Sequence, residues 1–451
     1  MKKVIQVKSK LPKDAKTVFE KFQKAGFEIY LVGGAVRSFL MGKKLHDCDF
    51  TTNAKPEEIQ KLFPENFYDN LFGTVGIPFK KETYEITTYR TERGYADRRH
   101  PDKVFWGDTL EEDLKRRDFT INTMVVGPRK DGKFEFIDLF GGEKDLKRKI
   151  IRAVGNAQKR FDEDSLRMMR AIRIATQLGF VVEAKTFQAI KKNATHILEI
   201  SAERIRDELI KILKSDYPAD GFTLLYNSGL LEQIFPEIVK GKGVQQSGHH
   251  QDDVFTHSLK SLKFCKNPDP IIRLAALLHD VGKPVVAKEK GGKITFYNHE
   301  MVGASIARHV GQRLRFSKKD REKLTNLVRW HMFTVDERIT DAAVRRFIRR
   351  IGNENINEMM DLRIADRLGG GCLTETSWRL RLLQKRVLEV QKHIPSAADL
   401  KVNGRDVMKI LGISPGPKVG QVLNKLFEEI IDNPSKNKRS HLLKRIKEEQ
   451  H

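Results

Sequence analysis

Residues 31–37 read LVGGAVR, and residues 46–50 read HDCDF. The first stretch is a short apolar run that ends in Gly33 and Gly34 and continues into an amphipathic segment carrying an arginine. The second is an Asp-x-Asp pattern followed by an apolar residue. This order predicts a strand, a tight turn, a helix and a second strand. Because glycines let backbone N–H groups approach an anion and a helix N-terminus adds a positive dipole end, the turn is predicted to cradle phosphate.

Asp47 and Asp49 are predicted to act as a pair. Side chains two residues apart in a strand point to the same face of the sheet. Two carboxylates on one face can hold a pair of Mg²⁺ ions, which prefer oxygen ligands. Two ions held in this way suit in-line attack of a hydroxyl group on the α-phosphate of a nucleotide.

Each half of this pattern also has an ordinary interpretation. A Gly-Gly pair is usually a turn, and Asp-x-Asp is usually a solvated strand edge or loop. A dinucleotide-binding loop is excluded because Gly33-Gly34 lacks the third glycine of Gly-x-Gly-x-x-Gly. In this order and spacing, the two halves together resemble the signature of the DNA polymerase β-like nucleotidyltransferase superfamily.

The composition indicates an ordered protein with a polyanionic partner. The chain has 451 residues, of which 39% are hydrophobic and 32% are charged, and its formal net charge is +24. This length predicts about two to four domains. The excess of Lys and Arg favours a polyanion, and basicity for solubility alone is the competing interpretation. Composition does not distinguish RNA from DNA or from an anionic membrane.

Several absences narrow the class of protein. No run of about 18 apolar residues occurs, so no transmembrane helix is expected. The basic residues 1–8 lack an apolar signal region, so secretion is not expected. Cys48, Cys265 and Cys372 are far apart without C-x-x-C spacing, which favours a reducing, cytoplasmic location and argues against a zinc–thiolate site.

Further polar candidates follow the Asp-x-Asp pattern. Glu85 lies mid-strand between apolar neighbours, so it is a candidate third metal carboxylate, and pairing with a cross-strand Lys or Arg is the alternative. Residues 93–109 are predicted as a loop that carries arginines to a triphosphate or RNA, with a solvated surface loop as the alternative. Asp118 and Asn122 follow a charged helical turn and have the hydrogen-bonding groups to grip a ribose.

Residues 161–178 show a helical pattern with a possible base-reading pair. On a helix, Asp164, Arg167 and Arg170 would fall at i, i+3 and i+6, so that neighbouring members share a face. A carboxylate and a guanidinium offer acceptors and a donor fork that match a base edge. A simple i,i+3 ion pair is the ordinary alternative.

Histidine and aspartate residues in the second half of the chain form another candidate site. They are His257, His279, Asp280, His299, His331 and Asp366. The apolar run at 274–278 would carry the adjacent His-Asp pair to the inner end of a buried helix, where imidazole and carboxylate suit one or two divalent ions and a metal-activated hydroxide. Each histidine alone is more often structural or exposed. Together, and with HDVGKP at 279–284, they resemble the HD phosphohydrolase superfamily.

As a whole, the chain resembles the class II tRNA nucleotidyltransferase and bacterial poly(A) polymerase family, in the form that carries an HD domain. The motifs are GGAVR at 33–37, DCD at 47–49, RRDFTIN at 116–122 and EDSLR at 163–167. The resemblance implies an α+β fold class. A polymerase β-like nucleotidyltransferase domain, with a mixed sheet and helices, would precede a mostly α-helical body that includes an HD domain.

The predicted domain boundaries lie near glycine-containing segments. We expect a nucleotidyltransferase head at 1–145 and a helical, base-recognising neck at 146–240. An HD domain is expected at 241–370, followed by a basic, helical RNA-binding tail at 371–451.

The resemblance also implies roles for individual residues. Asp47 and Asp49 would bind the catalytic Mg²⁺ pair, with Glu85 as the third candidate carboxylate, and the HD residues would bind a divalent transition metal. The nucleotide-binding set would hold the triphosphate, the ribose and the base of CTP or ATP, and comprises Gly33, Gly34, Arg37, Arg117, Asp118, Asn122, Asp164, Arg167, Arg170 and Arg173.

The implied activity is template-independent addition of CCA, or part of it, to the 3′ end of tRNA from CTP and ATP. Ser38 stands where the family usually has Asp, which suggests a specialised member, for instance one that adds only the terminal A. Poly(A) polymerase is the closest rival. The HD region suggests a second, phosphohydrolase activity on cyclic phosphate ends or small phosphoesters. A non-enzymatic RNA-binding protein is disfavoured by Asp47 and Asp49, no membrane partner is expected, and the oligomeric state is not determined.

Overall fold

The computed structural model describes residues 2–7, 9, 11–45, 48–69, 73–79, 82–93, 103–107, 109–246, 252–333, 339–391 and 397–449. The chain divides into two compact units, Met1–Val239 and Lys240–His451. The finer division into four domains stays a prediction.

The first unit combines strands with helices, as the predicted fold class requires. Its strands are β1 (Lys2–Ile5), β2 (Ile29–Val32), β3 (Asp49–Thr52), β4 (Phe67–Asp69), β5 (Thr74–Pro78), β6 (Thr83–Thr88), β7 (Arg90–Arg93), β8 (Lys103–Trp106), β9 (Val125–Pro128), β10 (Phe134–Ile137), β11 (Ile150–Ile151) and β12 (Val181–Val182). Its α-helices are α1 (Lys13–Lys24), α2 (Gly34–Leu40), α3 (Pro56–Leu62), α4 (Leu110–Lys115), α5 (Gly142–Lys147), α6 (Ala157–Glu163), α7 (Leu166–Leu178), α8 (Ala184–Asn193), α9 (Ala202–Leu213), α10 (Pro218–Asn227), α11 (Leu230–Ile234) and α12 (Pro236–Val239). Short 3₁₀ turns occur at Thr120–Asn122 and Ala194–Glu199.

A mixed eight-stranded sheet forms the core of the first unit. Its strand order is β1-β10-β9-β2-β3-β6-β5-β4. Strands β3 and β6 run parallel, and all other neighbours in this sheet run antiparallel. Helix α1 packs its buried apolar face on the sheet, where the Phe19 ring lies 5.3 Å from Phe50 and 5.1 Å from Phe134. This apolar face therefore forms part of the core of the first unit.

Two predictions of local structure are wrong in part. Residues 161–178 form two helices rather than one, because Asp164 is extended, with φ −144°, and its carboxylate accepts the N–H of Leu166 at 3.0 Å. A short polar side chain competes in this way with the helical backbone. Within the predicted loop at 93–109, β8 pairs with β7 in an antiparallel ladder. Residues 94–102 and 108 lie outside the described part of the chain.

The described part of the second unit is mainly helical. Its α-helices are α13 (Val254–Phe264), α14 (Pro270–Leu278), α15 (Lys283–Val286), α16 (His299–Arg313), α17 (Lys318–Trp330), α18 (Asp341–Ile351), α19 (Ile356–Gly369), α20 (Trp378–Gln391), α21 (Gly404–Leu411), α22 (Pro417–Asp432) and α23 (Arg439–Glu448), with a hairpin of β13 (Lys288–Lys290) and β14 (Lys293–Thr295). Short 3₁₀ turns lie at Asn353–Asn355, Ala397–Asp399 and Pro434–Lys436. Among the described residues, none of the helices combines the length and apolar character needed to cross a membrane.

Helix α14 explains how the second unit delivers the adjacent His-Asp pair to its interior. The residues Leu274–Leu278 are all buried, as expected for a run of apolar residues that covers every side of the second half of the helix. The helix ends at Leu278, and His279 and Asp280 follow, 1% and 2% exposed. The predicted position of this pair at the inner end of a buried helix is confirmed.

Gly142 lies where α5 packs against the 3₁₀ turn Thr120–Asn122, and it allows a test of that contact. A Cβ atom at Gly142 would lie 2.2 Å from the backbone oxygen of Thr120. We expect Gly142→Ala to lower the free energy of unfolding by at least about 1 kcal/mol, because backbone must move to admit the methyl group. Urea denaturation followed by circular dichroism measures the change.

The matched control is Gly420→Ala within α22. No atom lies within 4 Å of the added Cβ at this position. Alanine is therefore expected to leave stability unchanged or raise it by up to about 1 kcal/mol through its better helix propensity. Equal stability of the two variants would contradict the proposed contact between α5 and the turn.

Candidate active site

The turn between β2 and α2 brings the two glycines beside a predicted metal ligand. Gly33 has a φ of 74°, a left-handed conformation that favours glycine. A Cβ atom at Gly33 would lie 3.8 Å from Oδ2 of Asp49 and 4.0 Å from Nη1 of Arg117. The turn therefore lies next to both a carboxylate and a guanidinium. Asp47 lies outside the described residues.

Asp49 and Glu85 project from neighbouring parallel strands. Phe50 of β3 is in register with Ile86 of β6, so the residues that precede them occupy adjacent positions on the same face. Both carboxylates line one cavity of about 430 Å³. The residue opposite Glu85 on β5 is Gly76, so no Lys or Arg faces it across that ladder. Carboxylate oxygens gathered at one cavity are the donors that Mg²⁺ prefers, so the residues present fit this ion.

The same cavity collects most of the predicted nucleotide-binding residues. Besides Asp49 and Glu85, the predicted residues that line it are Gly33, Gly34, Arg117, Asp118, Asn122, Asp164, Arg167 and Arg170. Arg90 and Arg116, which were not among the predicted site residues, line it as well. Acidic and basic groups from four separated stretches of the chain thus meet at one cavity.

A buried carboxylate that the prediction missed organises the basic side of this cavity. Asp113 of α4 is 0% exposed and accepts hydrogen bonds from Nη2 of Arg116 at 2.6 Å and Nη2 of Arg117 at 3.1 Å. It also accepts the hydroxyl of Thr51 on β3 at 3.1 Å. Burial alone would raise the pKa of Asp113, but the two guanidinium charges outweigh it and lower the pKa to about 2. The spacing of Asp113 from the two arginines, i to i+3 and i+4 on a helix, is the sequence signal that identifies this pair.

Asp118 and Asn122 form a network rather than an open pair. Arg170 donates to Oδ2 of Asp118 through Nε at 2.8 Å and Nη2 at 2.6 Å, and the Asn122 amide donates to Oδ1 at 3.0 Å. Arg37 in turn donates to the Asn122 oxygen at 2.7 Å. Burial would raise the pKa of Asp118, but the Arg170 charge and these hydrogen bonds hold it well below its usual range. Arg37 itself is not among the residues that line the cavity.

Asp164 and Arg167 face the same cavity but do not pair through their side chains. Asp164 lies between α6 and α7, and its Oδ2 accepts from Nη2 of Arg204 at 3.0 Å. Arg167 donates to Oε2 of Glu163 at 2.8 Å and to the backbone oxygen of Arg116 at 3.0 Å. The expectation that Asp164 belongs to the helix of Arg167 is therefore wrong, and the simple i,i+3 ion pair is not formed. Each side chain is held separately by another partner.

Arg173 is the predicted nucleotide-binding residue that lies on α7 but does not line the cavity. Its Nε donates to Oε2 of Glu208 on α9 at 2.5 Å, and its Nη1 donates to Gln177 at 2.9 Å. This contact joins α7 to α9. Arg173 therefore supports the helix that presents Arg167 and Arg170.

In the second unit, the predicted histidines and aspartates meet in one buried cluster. Nε2 of His257 and Nε2 of His279 lie 3.1 Å apart, and those of His299 and His331 lie 3.4 Å apart. Oδ2 of Asp280 lies 3.5 and 3.2 Å from the first pair. Oδ1 of Asp280 lies 3.4 and 3.7 Å from the second pair. Each carboxylate oxygen of Asp280 thus faces one histidine pair, which makes two three-ligand groups with Asp280 in common.

The hydrogen bonds around this cluster fit it for cations. Nδ1 of His279, His299 and His331 each lies 2.7–2.9 Å from a backbone carbonyl oxygen, which can only accept. Nδ1 therefore carries the hydrogen in the neutral ring, and the Nε2 lone pair points into the cluster. Facing lone pairs at these distances repel unless a proton or a metal ion lies between them. The donor set of imidazole and carboxylate suits divalent transition metals.

Asp366 and two cations complete the cluster. Oδ1 of Asp366 lies 3.1 Å from Nε2 of His257, and its Oδ2 accepts from Arg363 at 2.8 Å. Lys283 donates to Oδ2 of Asp280 at 2.6 Å. Burial would lower the pKa of His279, but the charges of Asp280 and Asp366 raise it to about 10. The cluster therefore attracts positive charge at its centre.

Comparison with known proteins identifies the domains that contain most residues of the two candidate sites. Residues 29–152 match the Poly A polymerase head domain, residues 179–241 the probable RNA and SrmB-binding site of polymerase A, and residues 254–370 the HD domain. The CCA-adding enzyme of Ligilactobacillus salivarius is 35% identical over 93% of this chain and 92% of its own length. The chain belongs to the tRNA nucleotidyltransferase and poly(A) polymerase family, in its HD-bearing form.

Other members of this family differ in how much of the chain they match. The CCA-adding enzyme of Lactobacillus helveticus is 47% identical, but that match covers 49% of this chain and 54% of the enzyme, so the chain spans about half the length of this relative. The A-adding tRNA nucleotidyltransferase of Deinococcus radiodurans is 35% identical over 88% of this chain and 90% of its own. The crystal structure of the Bacillus stearothermophilus CCA-adding enzyme in complex with CTP has a TM-score of 0.70, with 27% identity and 96% of each chain covered.

The Asp113 cluster leads to a stability prediction. Replacing Asp113 by Asn removes the charge that balances Arg116 and Arg117, whose side chains are only 16% and 20% exposed. We expect Asp113→Asn to lower the free energy of unfolding by about 3 kcal/mol at pH 7, because two largely buried cations lose their counter-charge. Urea denaturation measures this loss.

The pH dependence of that loss separates charge from packing. The pKa of Asp113 is depressed to about 2, so its carboxylate stabilises the fold fully above the unfolded value of about 3.9 and less as the pH falls towards 2. The stability difference between the native chain and Asp113→Asn should therefore shrink by roughly 1 kcal/mol between pH 5 and pH 3. A difference that stays constant over this range would show that the carboxylate acts through shape alone.

Proposed function

We propose that this chain adds nucleotides to the 3′ end of tRNA, using CTP and ATP and releasing pyrophosphate. The observation that carries the proposal is the cavity at which Asp49 and Glu85 meet Arg117, Arg167 and the Gly33 turn. The names of the relatives and the structural neighbour with CTP support this choice of substrates.

The carboxylates are proposed to hold the metal. Asp49 and Glu85, together with Asp47 by family resemblance, would bind Mg²⁺ as two ions. Bound there, Mg²⁺ supplies charge neutralisation for the triphosphate and lowers the pKa of the attacking hydroxyl group. The RNA 3′-hydroxyl would lose its proton to water, its oxygen would bond to the α-phosphorus, and the bond from the α-phosphorus to the leaving pyrophosphate would break.

The basic residues are proposed to orient the nucleotide. The open backbone at Gly33 and the guanidinium of Arg117 beside it would contact phosphate oxygens. Asp164 and Arg167 would read the base from separate supports, since each is held by a different partner. Because they are anchored to different partners, the Asp164 carboxylate and the Arg167 guanidinium both remain at the cavity and do not pair with each other.

Asp118 and Asn122 are proposed to act mainly as positioning residues. Their side chains already bind Arg170 and Arg37, which leaves the Asn122 amide with a remaining hydrogen and lone pair for a ribose hydroxyl.

Ser38 lies in α2, whose first turn is beside the cavity. Analysis of the reaction product distinguishes addition of CCA, addition of the terminal A alone and synthesis of a longer tail.

The proposal predicts a defined ladder of products. A tRNA lacking CCA should gain C residues with CTP alone and the full CCA with CTP and ATP, each resolved on a denaturing gel. Extension by ATP only, on a tRNA ending in CC, would identify an A-adding enzyme, and a long tail would identify a poly(A) polymerase. No extension of any tRNA end would refute the proposal.

Asp49 supplies the matched test of the metal-binding carboxylates. Asp49→Asn should reduce the extension rate by at least about 100-fold, because a neutral amide cannot hold the hard cation that balances the triphosphate. Asp131→Asn, in the exposed hairpin turn between β9 and β10, makes the same chemical change outside the cavity and should keep the native rate. Equal rates for both variants would remove Asp49 from the site.

The HD cluster favours a second activity, and we propose that it hydrolyses phosphate esters with a divalent transition metal. A cavity of about 480 Å³ opens onto Asp280, His299, His331 and Asp366, and Lys283 and Arg363 line it too. The two cations would bind a phosphate group beside the metal ligands. Cyclic 2′,3′-phosphate ends and small phosphoesters are the proposed substrates.

The second activity has its own variants. Hydrolysis of 2′,3′-cyclic nucleotides with Mn²⁺, Co²⁺ or Ni²⁺ should be lost in His279→Ala and kept in His309→Ala, whose exposed ring lies on the surface of α16. Metal content measured by mass spectrometry should fall in the first variant only. Hydrolysis that survives His279→Ala would show that the cluster is structural.

A further inference from the structure

The second unit contains a groove that the two sites above do not use. It is formed by the second half of α16, by α17, and by the end of α18 with the 3₁₀ turn that follows it, and its volume is about 830 Å³. None of the predicted HD ligands lines it. We call it the α16–α18 groove.

The α16–α18 groove is strongly basic. Eight of the described residues that line it are Lys or Arg, and two are Glu. Some of these cations are neutralised, as Lys323 is by Asp269 and Glu358 at 3.0 and 3.1 Å. In the part of the chain that the structure describes, Arg308, Lys319, Arg321 and Arg350 have no carboxylate partner. The groove therefore carries cations in excess of its own anions.

An aromatic ring contacts both Arg329 and Arg350, and Arg329 is also paired with Glu300 at 3.5 Å. The guanidinium carbons of Arg329 and Arg350 lie 4.2 and 5.1 Å from the ring centre of Trp330. A cation–π contact orients a guanidinium and leaves its N–H groups available to an anion, whereas an ion pair neutralises it. Among the residues that the structure describes, Arg350 has this contact and no carboxylate partner.

The partial negative charge at the C-terminus of α18 is offset by hydrogen bonds on the same surface. The backbone oxygen of Ile351, the last residue of α18, accepts hydrogen bonds from the side-chain amides of Asn326 at 2.7 Å and Asn355 at 3.0 Å. An exposed carbonyl at a helix C-terminus would repel an anion. The two amides remove that repulsion where the helix borders the groove.

From these features we infer that the α16–α18 groove binds the phosphodiester backbone of RNA. Unneutralised Arg and Lys spread over three helices match successive phosphates along a strand, because release of condensed counterions drives such binding. Phosphate contacts of this kind position an RNA without reading its sequence. The inference rests on the proposed function, which makes tRNA the available RNA, and it adds a docking site remote in sequence from the nucleotide-binding residues.

The test removes three of the unpaired cations together. The variant Arg308→Gln, Lys319→Gln, Arg350→Gln should bind tRNA at least about tenfold more weakly, and its plot of log affinity against log salt concentration should be shallower by about 2 to 3. Fluorescence anisotropy with labelled tRNA, without nucleotides or metal, measures both quantities. Circular dichroism and the melting temperature establish that the variant is folded.

A charge-matched control removes three lysines that lie outside the groove in the same unit. The control substitutions Lys263→Gln, Lys288→Gln and Lys293→Gln lie on α13 and in the β13–β14 hairpin, where the three side chains are exposed and, among the described residues, have no carboxylate partner. This control should keep the native affinity and most of the native salt dependence. An equal loss in both variants would show that overall charge is responsible and would overturn the groove as a site.

The remaining outcomes separate the groove from the proposed function. If the native chain binds tRNA and the groove variant binds it equally well, the groove assignment fails and nucleotide addition stands. If the native chain binds no tRNA, both the groove assignment and the proposed function fail. Displacement of tRNA by inorganic phosphate at constant ionic strength would assign the groove to free phosphate instead. If the groove variant loses binding to a polyglutamate peptide but keeps binding to tRNA, the groove is assigned to an acidic protein.

Discussion

The carboxylate of Asp113 is the interaction on which the nucleotide cavity depends. It lies in the interior, bound by Arg116, Arg117 and the Thr51 hydroxyl, so it ties α4 to strand β3 and fixes two guanidinium groups at once. The neighbouring Leu114 packs with Val32, Val125 and Ile137 of the sheet, which sets the depth of the helix. A buried charge is tolerated only when its partners are in place, so the sheet, the helix and the basic side of the cavity form together.

The two units build their cation sites from different donors. The first unit brings together carboxylates from adjacent strands, with oxygen as the donor atom, and the second surrounds one aspartate with four imidazole rings. Oxygen donors suit Mg²⁺, while imidazole donors suit transition metals such as Mn²⁺, Co²⁺ and Ni²⁺. The two candidate sites therefore differ in the class of cation that their donors favour.

The positively charged side chains of the protein are arranged in two different ways. Around the nucleotide cavity, arginines are held by carboxylates such as Asp113, Asp118 and Glu163, so their charge is partly cancelled and their geometry is fixed. In the α16–α18 groove, several cations have no carboxylate partner within the described ranges, and one of them, Arg350, contacts Trp330. Fixed geometry suits recognition of a small nucleotide, whereas uncancelled charge suits attraction of a long polyanion.

Local sequence determined which residues are available for chemistry and much of the secondary structure. The apolar run at 274–278 indicated the buried helix α14, because burial of a helix on all sides leaves a continuous apolar stretch. The glycine turn and the His-Asp pair were recognisable because few other residue types can serve there. Only the tertiary structure decided that Asp164 leaves the helix to bind Arg204, that Gly76 faces Glu85 and that Asp280 is shared by two histidine pairs. Those contacts join residues far apart in sequence, and their formation depends on how whole elements pack, which no local pattern records.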